Sequence, residues 1–316
     1  MAEMKSIRVF SGRSHPELTE AICARLGIPV GQREIIRFSN ENLLVQIEES
    51  VRECDVFVVQ TSSPPVNEHL VELLIFIDAL KRASARSVTA VMPYFPYVRS
   101  DKKDRPRISI TARLMADLIE AAGADRVVTM DLHAPQIQGF FKIPVDHLQA
   151  GPLLAEHVRR TVDLSNAIVV AGDAGEAKDA AKFAARLRLD LAIIDKRRYA
   201  HDDNARAEHL IGDVRGRTAI LIDDEIASGG TILQAADFLR REGATGVVAC
   251  ATHPVFTGNA SERLAHSNIS QLAVTDTIPL PIYKRFDQLE VLSVADLFAD
   301  AIMRIHTGES VSVLFR

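Results

Sequence analysis

The chain has 316 residues, of which 47% are apolar and 25% are charged, and its formal net charge is −5 at pH 7. This length suits two α/β domains better than a single core, and the composition excludes a disordered or fibrous chain. The acidic balance argues against a nucleic-acid-binding protein, and no apolar run approaches the roughly 20 residues that span a bilayer.

Short runs rich in β-branched residues alternate with amphipathic stretches, which is typical of a largely parallel sheet covered by helices. The predicted strands are 55–60, 88–92, 126–130, 167–171, 191–195, 218–223, 246–250 and 271–275. The predicted helices are 66–83, 111–122, 152–161, 176–188, 230–242, 258–266 and 294–307. The strands are apolar throughout, as expected where helices cover both faces of a sheet.

The alternation occurs in each half of the chain, which predicts two similar α/β domains, each a mostly parallel sheet flanked by helices. Two prolines and a glycine interrupt the pattern at 144–152, so we place the boundary there. The expected domains are 1–147 and 148–316, with the final residues packing back on the N-terminal domain.

The isolated cysteines Cys23, Cys54 and Cys250 form neither a disulfide framework nor a zinc pattern. The first residues show no signal-peptide pattern. We therefore expect a cytoplasmic protein without a membrane partner.

The segment TAILIDDEIASGGTI (218–232) carries the strongest chemical signal. An apolar strand ends in Asp223 and Asp224, and the next loop carries two hydroxyls and two glycines, Ser228, Gly229, Gly230 and Thr231. Glycines let the backbone approach an anion, and the N–H groups that begin the next helix favour phosphate. The carboxylates would repel phosphate, so sugar hydroxyls or a magnesium shell suit them better. A structural alternative, in which Ser228 caps the helix, stays open on these residues alone.

The string resembles the phosphoribosyl diphosphate-binding motif of type I phosphoribosyltransferases and of ribose-phosphate pyrophosphokinases, also called phosphoribosyl diphosphate synthetases. A transferase normally spans one such domain, whereas the resemblance to the synthetases runs along nearly the whole chain. The strings that carry it include RFSN (37–40), IEESVRECDVFVVQ (47–60), YFPYVRSDKKDRPR (94–107), GADRVVTMDLHAPQIQGFF (123–141), IIDKRR (193–198), IGDVRGRTAILIDD (211–224) and RIHTGESVSVLF (304–315).

The resemblance implies two phosphoribosyltransferase-type domains and transfer of the pyrophosphoryl group of Mg-ATP to the C1 hydroxyl of ribose 5-phosphate, giving phosphoribosyl diphosphate and AMP. It implies that segment 223–231 binds ribose 5-phosphate and that His133 and Asp173 contribute to the Mg²⁺ site. A lone histidine is more often structural, but His133 matches a family position that contributes to the metal site. The resemblance therefore favours a role in metal binding.

The resemblance also gives Lys196 and Arg198 a catalytic role in stabilising the transition state. Both belong to a basic run after strand 191–195, and the polar residues 199–209 that follow predict a mobile loop. A basic run of this kind is otherwise usually a solvated surface cluster.

On the nucleotide side, the resemblance implies that Arg99 and Asp101 lie in an ATP-binding loop. Phe38 and Asn40 match a segment that reaches the adenine from a neighbouring subunit, Phe38 by stacking. The family's usual assembly is a hexamer built from dimers, so we expect a homo-oligomer.

A regulatory anion site for phosphate and ADP is implied by three short segments. Its residues would be Ser50, Arg52, Ala83, Ser84, Ser310 and Ser312. Ordinary helix caps and turns remain the structural alternative for these positions.

Several residues depart from the family pattern, mostly on the ATP side. The departures are Asn42, Ser100, Gly172, Glu176, Asp179, Ala227 and Ser228. Three hypotheses follow: an active synthetase with altered nucleotide affinity or regulation, a regulatory paralogue that co-assembles with an active synthetase, and an enzyme with another donor or sugar phosphate. Lys196 and Arg198 favour the first, and Glu176 and Asp179 favour the second.

Overall fold

The computed structural model describes residues 6–198 and 206–315. In chain order, the first elements are β1 (Ile7–Ser11), α1 (Pro16–Leu26), β2 (Arg33–Arg37), β3 (Leu43–Ile47), β4 (Asp55–Val59), α2 (Val66–Arg82), β5 (Ser87–Met92), α3 (Thr111–Ala122), β6 (Arg126–Met130), a 3-10 helix (Pro135–Phe140) and β7 (Val145–Leu148).

The later elements follow the same alternation of strand and helix. They are α4 (Gly151–Thr161), a 3-10 turn (Leu164–Asn166), β8 (Ala167–Ala171), α5 (Ala177–Leu187), β9 (Leu191–Arg198), β10 (Arg206–Ile211), β11 (Thr218–Glu225), α6 (Gly230–Arg241), β12 (Gly246–His253), α7 (Ala260–Ala265), β13 (Gln271–Thr275), a 3-10 turn (Ile282–Lys284), β14 (Leu289–Leu292), α8 (Ala295–Thr307) and a 3-10 helix (Val311–Phe315).

The chain forms two compact units. The first comprises the residues up to Gln149 with Thr277–Pro279 and the residues from Ser293 onwards. The second comprises Ala150–Asp276 and Leu280–Leu292.

The described part of the first unit holds a five-stranded parallel sheet in the order β1-β4-β5-β6-β7. Its central strands are buried, and α2 packs against them through Leu73, Phe76 and Ile77, which are fully inaccessible. Strands β2 and β3 form a separate antiparallel hairpin. The parallel order places the carboxyl ends of all five strands at one edge, where loops with functional residues begin.

The described part of the second unit holds a seven-stranded sheet in the order β10-β9-β8-β11-β12-β13-β14. Every pairing is parallel except the one between β9 and β10, which is antiparallel. All five residues of β8 are buried, as expected for an interior strand with both faces covered. The predicted α/β fold, with two mostly parallel sheets flanked by helices, is confirmed.

One prediction was wrong. Residues 199–209 were expected to form a loop, yet β10 begins at Arg206 and pairs with β9, which continues past the predicted end at Asp195 to Arg198. Antiparallel ladders are made by backbone groups, so a polar edge hairpin forms without the apolar signal that marks interior strands. The predicted loop residues 199–205 lie outside the described part of the chain.

None of the helices in the described residues is long and apolar enough to cross a membrane.

Candidate active site

The paired carboxylates of the second unit lie at the carboxyl end of β11. This strand runs alongside β8, with Ile222 opposite Ala171, so Asp223 and Gly172 are the next residues at the same edge of the sheet. Two loops therefore start side by side there, one from each strand. Ligands of open parallel sheets bind at this edge.

The loop after β11 leads directly into α6. Gly229, which precedes the helix, has a φ of 74°, a left-handed conformation that glycine adopts without strain. The Gly230 N–H donates to Ser228 Oγ at 3.4 Å, but Gly229 and not Ser228 is the N-cap residue, and within the described residues no side chain caps α6. The cap expected from the structural alternative is therefore not formed, and Ser228 and Thr231 are exposed beside the start of the helix.

A neighbouring segment holds this loop in place. Arg263 Nη1 donates to the Ser228 carbonyl at 3.2 Å. The backbone N–H groups of Phe256 and Thr257 donate to the carbonyls of Ile226 and Ala227, at 3.0 and 2.9 Å. Ala227 departs from the family pattern, but it makes this contact with its backbone carbonyl. The contact therefore does not depend on the side chain at this position.

Burial raises the pKa of Asp223 well above its usual range. The nearby charge of Glu176 and a hydrogen bond with Asp224 shift that pKa in the same direction, and a hydrogen bond from the Glu225 N–H opposes them. The pair is thus a site where negative charge is concentrated, and hydroxyl groups or a cation would stabilise it.

The loop after β8 carries Asp173 and is bound by its own carboxylates. Asp173 Oδ1 accepts from the N–H groups of Gly175 and Glu176, at 2.7 and 3.2 Å. Glu176 Oε2 accepts from the Gly172 N–H at 3.0 Å. In contrast, Asp179 lies in the first turn of α5 and pairs with Lys182 at 2.6 Å. The two acidic departures therefore differ, because only Glu176 folds back into the loop.

In the first unit, the loop with Arg99 and Asp101 follows β5. The Ala112 N–H, at the start of α3, donates to the Ser100 carbonyl at 3.2 Å. Ser100 departs from the family pattern in its side chain, and this backbone contact does not depend on that side chain. Gln136 Nε2 donates to Asp101 Oδ2 at 2.6 Å. Arg99 itself is exposed.

His133 follows β6, which lies beside β5 in the same sheet. The preceding residue is held by a hydrogen bond from the Leu132 N–H to His147 Nε2 at 2.8 Å. His133 is exposed at the carboxyl edge from which the Arg99 loop also starts. The first unit therefore presents these predicted nucleotide and metal residues on neighbouring loops.

Phe38 and Asn40 lie in the turn of the β2–β3 hairpin. The turn is closed by a hydrogen bond from the Phe38 N–H to the Asn42 carbonyl at 2.9 Å, and the Asn42 N–H donates to Asn40 Oδ1 at 3.2 Å. The Phe38 ring is 46% exposed, which leaves an aromatic face available for stacking. Both contacts of Asn42 in this turn are made by its backbone, so they do not depend on its side chain.

Two of the three segments expected to form a regulatory site meet in the first unit. Arg52 and Ala85 form a β-bridge, and the Glu53 N–H donates to the Ser84 carbonyl at 3.2 Å. Ser84 has a φ of 66°, just after Ala83 ends α2. Ser50 lies two residues before Arg52 in the same segment.

The third segment follows α8. Ser310 Oγ and Ser312 Oγ lie 2.8 Å apart and share a hydrogen bond. Arg304 Nη1 donates to the Ser310 carbonyl at 3.3 Å, so the serine pair is anchored to the last turn of the helix.

The catalytic candidates Lys196 and Arg198 lie on β9, opposite Glu208 and Arg206 of β10. Their side chains lie outside the described part of the structure. Their proposed role therefore stays a prediction.

Sequence reasoning missed the residues that support the loops. Arg263 holds Ser228 and Gln136 holds Asp101, each across 35 positions of sequence. Neither stands at a motif spacing, so only the folded chain reveals them. Glu176 was identified as a departure near the nucleotide, whereas its effect on Asp223 was not predicted.

Comparison with known proteins agrees with this geometry. Residues 7–123 match the N-terminal domain of ribose phosphate pyrophosphokinase, and residues 199–316 match the phosphoribosyl synthetase-associated domain. The ribose-phosphate pyrophosphokinase of Caldanaerobacter subterraneus subsp. tengcongensis is 52% identical over 310 residues, covering 98% of each chain. That of Bacillus subtilis is 48% identical over 311 residues, again covering 98% of each.

A solved structure is similar along nearly the whole chain. The phosphoribosylpyrophosphate synthetase from Mycobacterium smegmatis superposes with a TM-score of 0.92 at 44% identity, covering 96% of this chain and 100% of that one. The chain therefore belongs to the ribose-phosphate pyrophosphokinase family.

Proposed function

We propose that the protein transfers the pyrophosphoryl group of Mg-ATP to the C1 hydroxyl of ribose 5-phosphate, giving 5-phosphoribosyl 1-diphosphate and AMP. The observation that carries the proposal is the Asp223–Asp224 pair beside the start of α6, in a chain about half identical to ribose-phosphate pyrophosphokinases over 98% of its length. This arrangement offers carboxylates for sugar hydroxyls and backbone N–H groups for a phosphate.

Ribose 5-phosphate would bind with its hydroxyls toward Asp223 and Asp224. Its phosphate would lie at the beginning of α6, where Ser228 and Thr231 add hydroxyl donors. Gly229 takes the left-handed conformation in which the chain enters α6, which glycine adopts without strain. Two chemically different ends of the substrate are thus matched by two adjacent parts of one loop.

In the transfer, the C1 hydroxyl oxygen bonds to the β-phosphorus of ATP while the bond from that phosphorus to the α,β-bridging oxygen breaks. AMP leaves with the bridging oxygen, and the hydroxyl proton is lost to solvent. Such a reaction requires positioning and cations around the transferred group, and no covalent nucleophile. We propose that the side chains of Lys196 and Arg198 supply these positive charges. The guanidinium of Arg198 is suited to bidentate contact with phosphate.

The metal is proposed to be Mg²⁺, with His133 and Asp173 contributing to its site. Among the described residues, no group of three or more His, Cys, Asp or Glu side chains is arranged to hold a metal ion. That finding fits Mg²⁺, which usually takes one or two protein carboxylates and completes its shell with water and substrate phosphates. When bound, Mg²⁺ would neutralise charge on the phosphate oxygens.

The nucleotide would bind through Arg99 and Asp101, with Phe38 and Asn40 supplied by a neighbouring subunit. The exposed Phe38 ring at a hairpin turn supports such a contact. We propose a homo-oligomer, a hexamer built from dimers, with phosphate and ADP as effectors at the segments of Ser50, Ser84 and Ser310. The protein would work in the cytoplasm, where its three buried, unbridged cysteines remain reduced.

The test is AMP formation from ATP and Mg²⁺, with and without ribose 5-phosphate, on wild type and on Asp223→Asn. We expect AMP release that depends on ribose 5-phosphate and falls at least about tenfold in the variant, because a carboxylate contact to the sugar is lost. Retained ribose 5-phosphate binding without AMP release would instead support the regulatory paralogue. AMP release that is independent of the sugar would contradict the proposal.

A further inference from the structure

The side chain of Glu176 belongs to the loop after β8, and its charge acts on Asp223 at the end of the neighbouring strand β11. Its Oε2 atom accepts a hydrogen bond from the Gly172 N–H at 3.0 Å. Gly172 and Asp223 follow a register pair of the neighbouring strands β8 and β11. Because Glu176 folds back onto Gly172, its carboxylate lies at the same edge of the sheet as Asp223.

The space around Gly172 and the pKa of Asp223 both reflect this position. A Cβ built on Gly172 would lie 3.0 Å from Glu176 Oε2, so the carboxylate rests directly over the glycine. The pKa of Asp223 is raised first by burial and next by the charge of Glu176. Glu176, Asp223 and Asp224 thus bring three carboxyl groups to one edge of the sheet.

The same carboxylate occupies backbone donors of its loop. Gly172 donates to Glu176, and Gly175 donates to Asp173. A phosphate oxygen approaching these N–H groups would therefore meet carboxylate oxygens first. Negative charge at a few ångströms disfavours an anion, and the penalty grows with the charge that the anion brings.

We infer that Glu176 is a specificity-determining residue that makes this site select the magnesium complex of ATP over metal-free ATP. Metal-free ATP brings its full negative charge to the loop, whereas the complex brings part of that charge already neutralised. The inference rests on the proposed function, because that function gives Asp173, in the same loop, a part in the Mg²⁺ site of Mg-ATP.

Asp179 provides a matched control on the same helix. Its side chain is 68% exposed and its carboxylate pairs with Lys182 at 2.6 Å. Asp179→Asn removes a negative charge three residues from Glu176 without altering the loop. Glu176→Gln removes the charge yet keeps an oxygen that can accept from the Gly172 N–H, so the variant separates charge from shape.

The experiment measures ATP binding by calorimetry, once with Mg²⁺ and once with EDTA, for wild type and both variants. We expect Glu176→Gln to tighten metal-free ATP binding by about fivefold or more, and Mg-ATP binding by no more than about twofold. Asp179→Asn should change either affinity by less than about twofold.

Equal changes in both affinities for Glu176→Gln, or no change in either, would overturn the inference while leaving the proposed function standing. Absence of Mg-ATP binding in the wild type would overturn both. If Glu176→Gln does not fold, Glu176→Gly serves instead, since Glu176 is the N-cap residue of α5 and glycine is well tolerated at that position. The same shift in the ratio of the two affinities is then expected.

Discussion

His306 donates from Nδ1 to Oδ2 of Asp55 at 2.8 Å, which fastens α8 to the first residue of β4. Arg86 Nε and Ser87 Oγ donate to the other oxygen of the same carboxylate, at 2.9 and 2.7 Å. Burial alone would raise the pKa of Asp55, but these three hydrogen bonds outweigh burial and lower it. Asp55 thus joins three segments of the first unit through one charged group.

We predict that Asp55→Asn lowers the free energy of unfolding by about 2 kcal/mol, because an amide cannot accept from all three donors. The lowered pKa means that the carboxylate stabilises the fold above its unfolded pKa of about 4, and that this contribution is lost as the pH falls through the lower folded value. Urea unfolding at pH 7 and near pH 3 should therefore show a smaller acid loss for the variant than for wild type.

Asp78→Asn is the matched control for this prediction. Asp78 pairs with Arg82 on the exposed face of α2, and its side chain is 52% exposed. Its replacement should cost no more than about 0.5 kcal/mol. An equal loss in both variants would show that the Asp55 cluster contributes no more than a surface pair.

The interior strands could be predicted from sequence because burial on both faces leaves a direct trace. β6 and β8 begin and end at the predicted residues, and β8 is buried throughout. β1, the β2–β3 hairpin, β7, β10 and β14 were not predicted. They lie at sheet edges or outside the two sheets, where half-exposed strands carry charged residues such as Arg33 and Arg37.

The candidate site likewise has features that local sequence predicts and features that only the folded sheet determines. Local sequence predicted that Asp223 and Asp224 end a strand and that glycines precede a helix, since both depend on neighbouring residues alone. It could not predict that Glu176 folds back onto Gly172 beside Asp223. A long side chain can reach several partners, and the choice among them depends on which strands the sheet places together.

We predict that Lys196→Ala lowers kcat about 100-fold or more while ribose 5-phosphate binding changes by less than about threefold, because a cation acting on developing charge matters mainly in the transition state. The measurement pairs steady-state AMP release with calorimetry of ribose 5-phosphate. Lys142→Ala, at an exposed position of the first unit, is the control and should retain wild-type turnover. Equal turnover in the Lys196 variant would remove that residue from the mechanism.

The adjacent glycines at the start of α6, Gly229 and Gly230, should respond differently to alanine. Gly229 has a φ of 74°, while a Cβ at this position would meet nothing nearer than Leu264 at 3.6 Å, so Gly229→Ala would be strained by its backbone and not by crowding. We expect a loss of about 1 kcal/mol in the free energy of unfolding.

Gly230 begins α6 without a left-handed φ, and its added Cβ would lie 3.5 Å from Ser228 Oγ, an ordinary contact. Gly230→Ala should therefore unfold no more easily than wild type, because alanine favours the helix. Urea unfolding and ribose 5-phosphate titration of both variants check this contrast, and the affinity should fall further for Gly229→Ala, whose backbone must shift to relieve the strain. Equal losses in stability would contradict the prediction, because the left-handed conformation of Gly229 would then impose no strain on alanine.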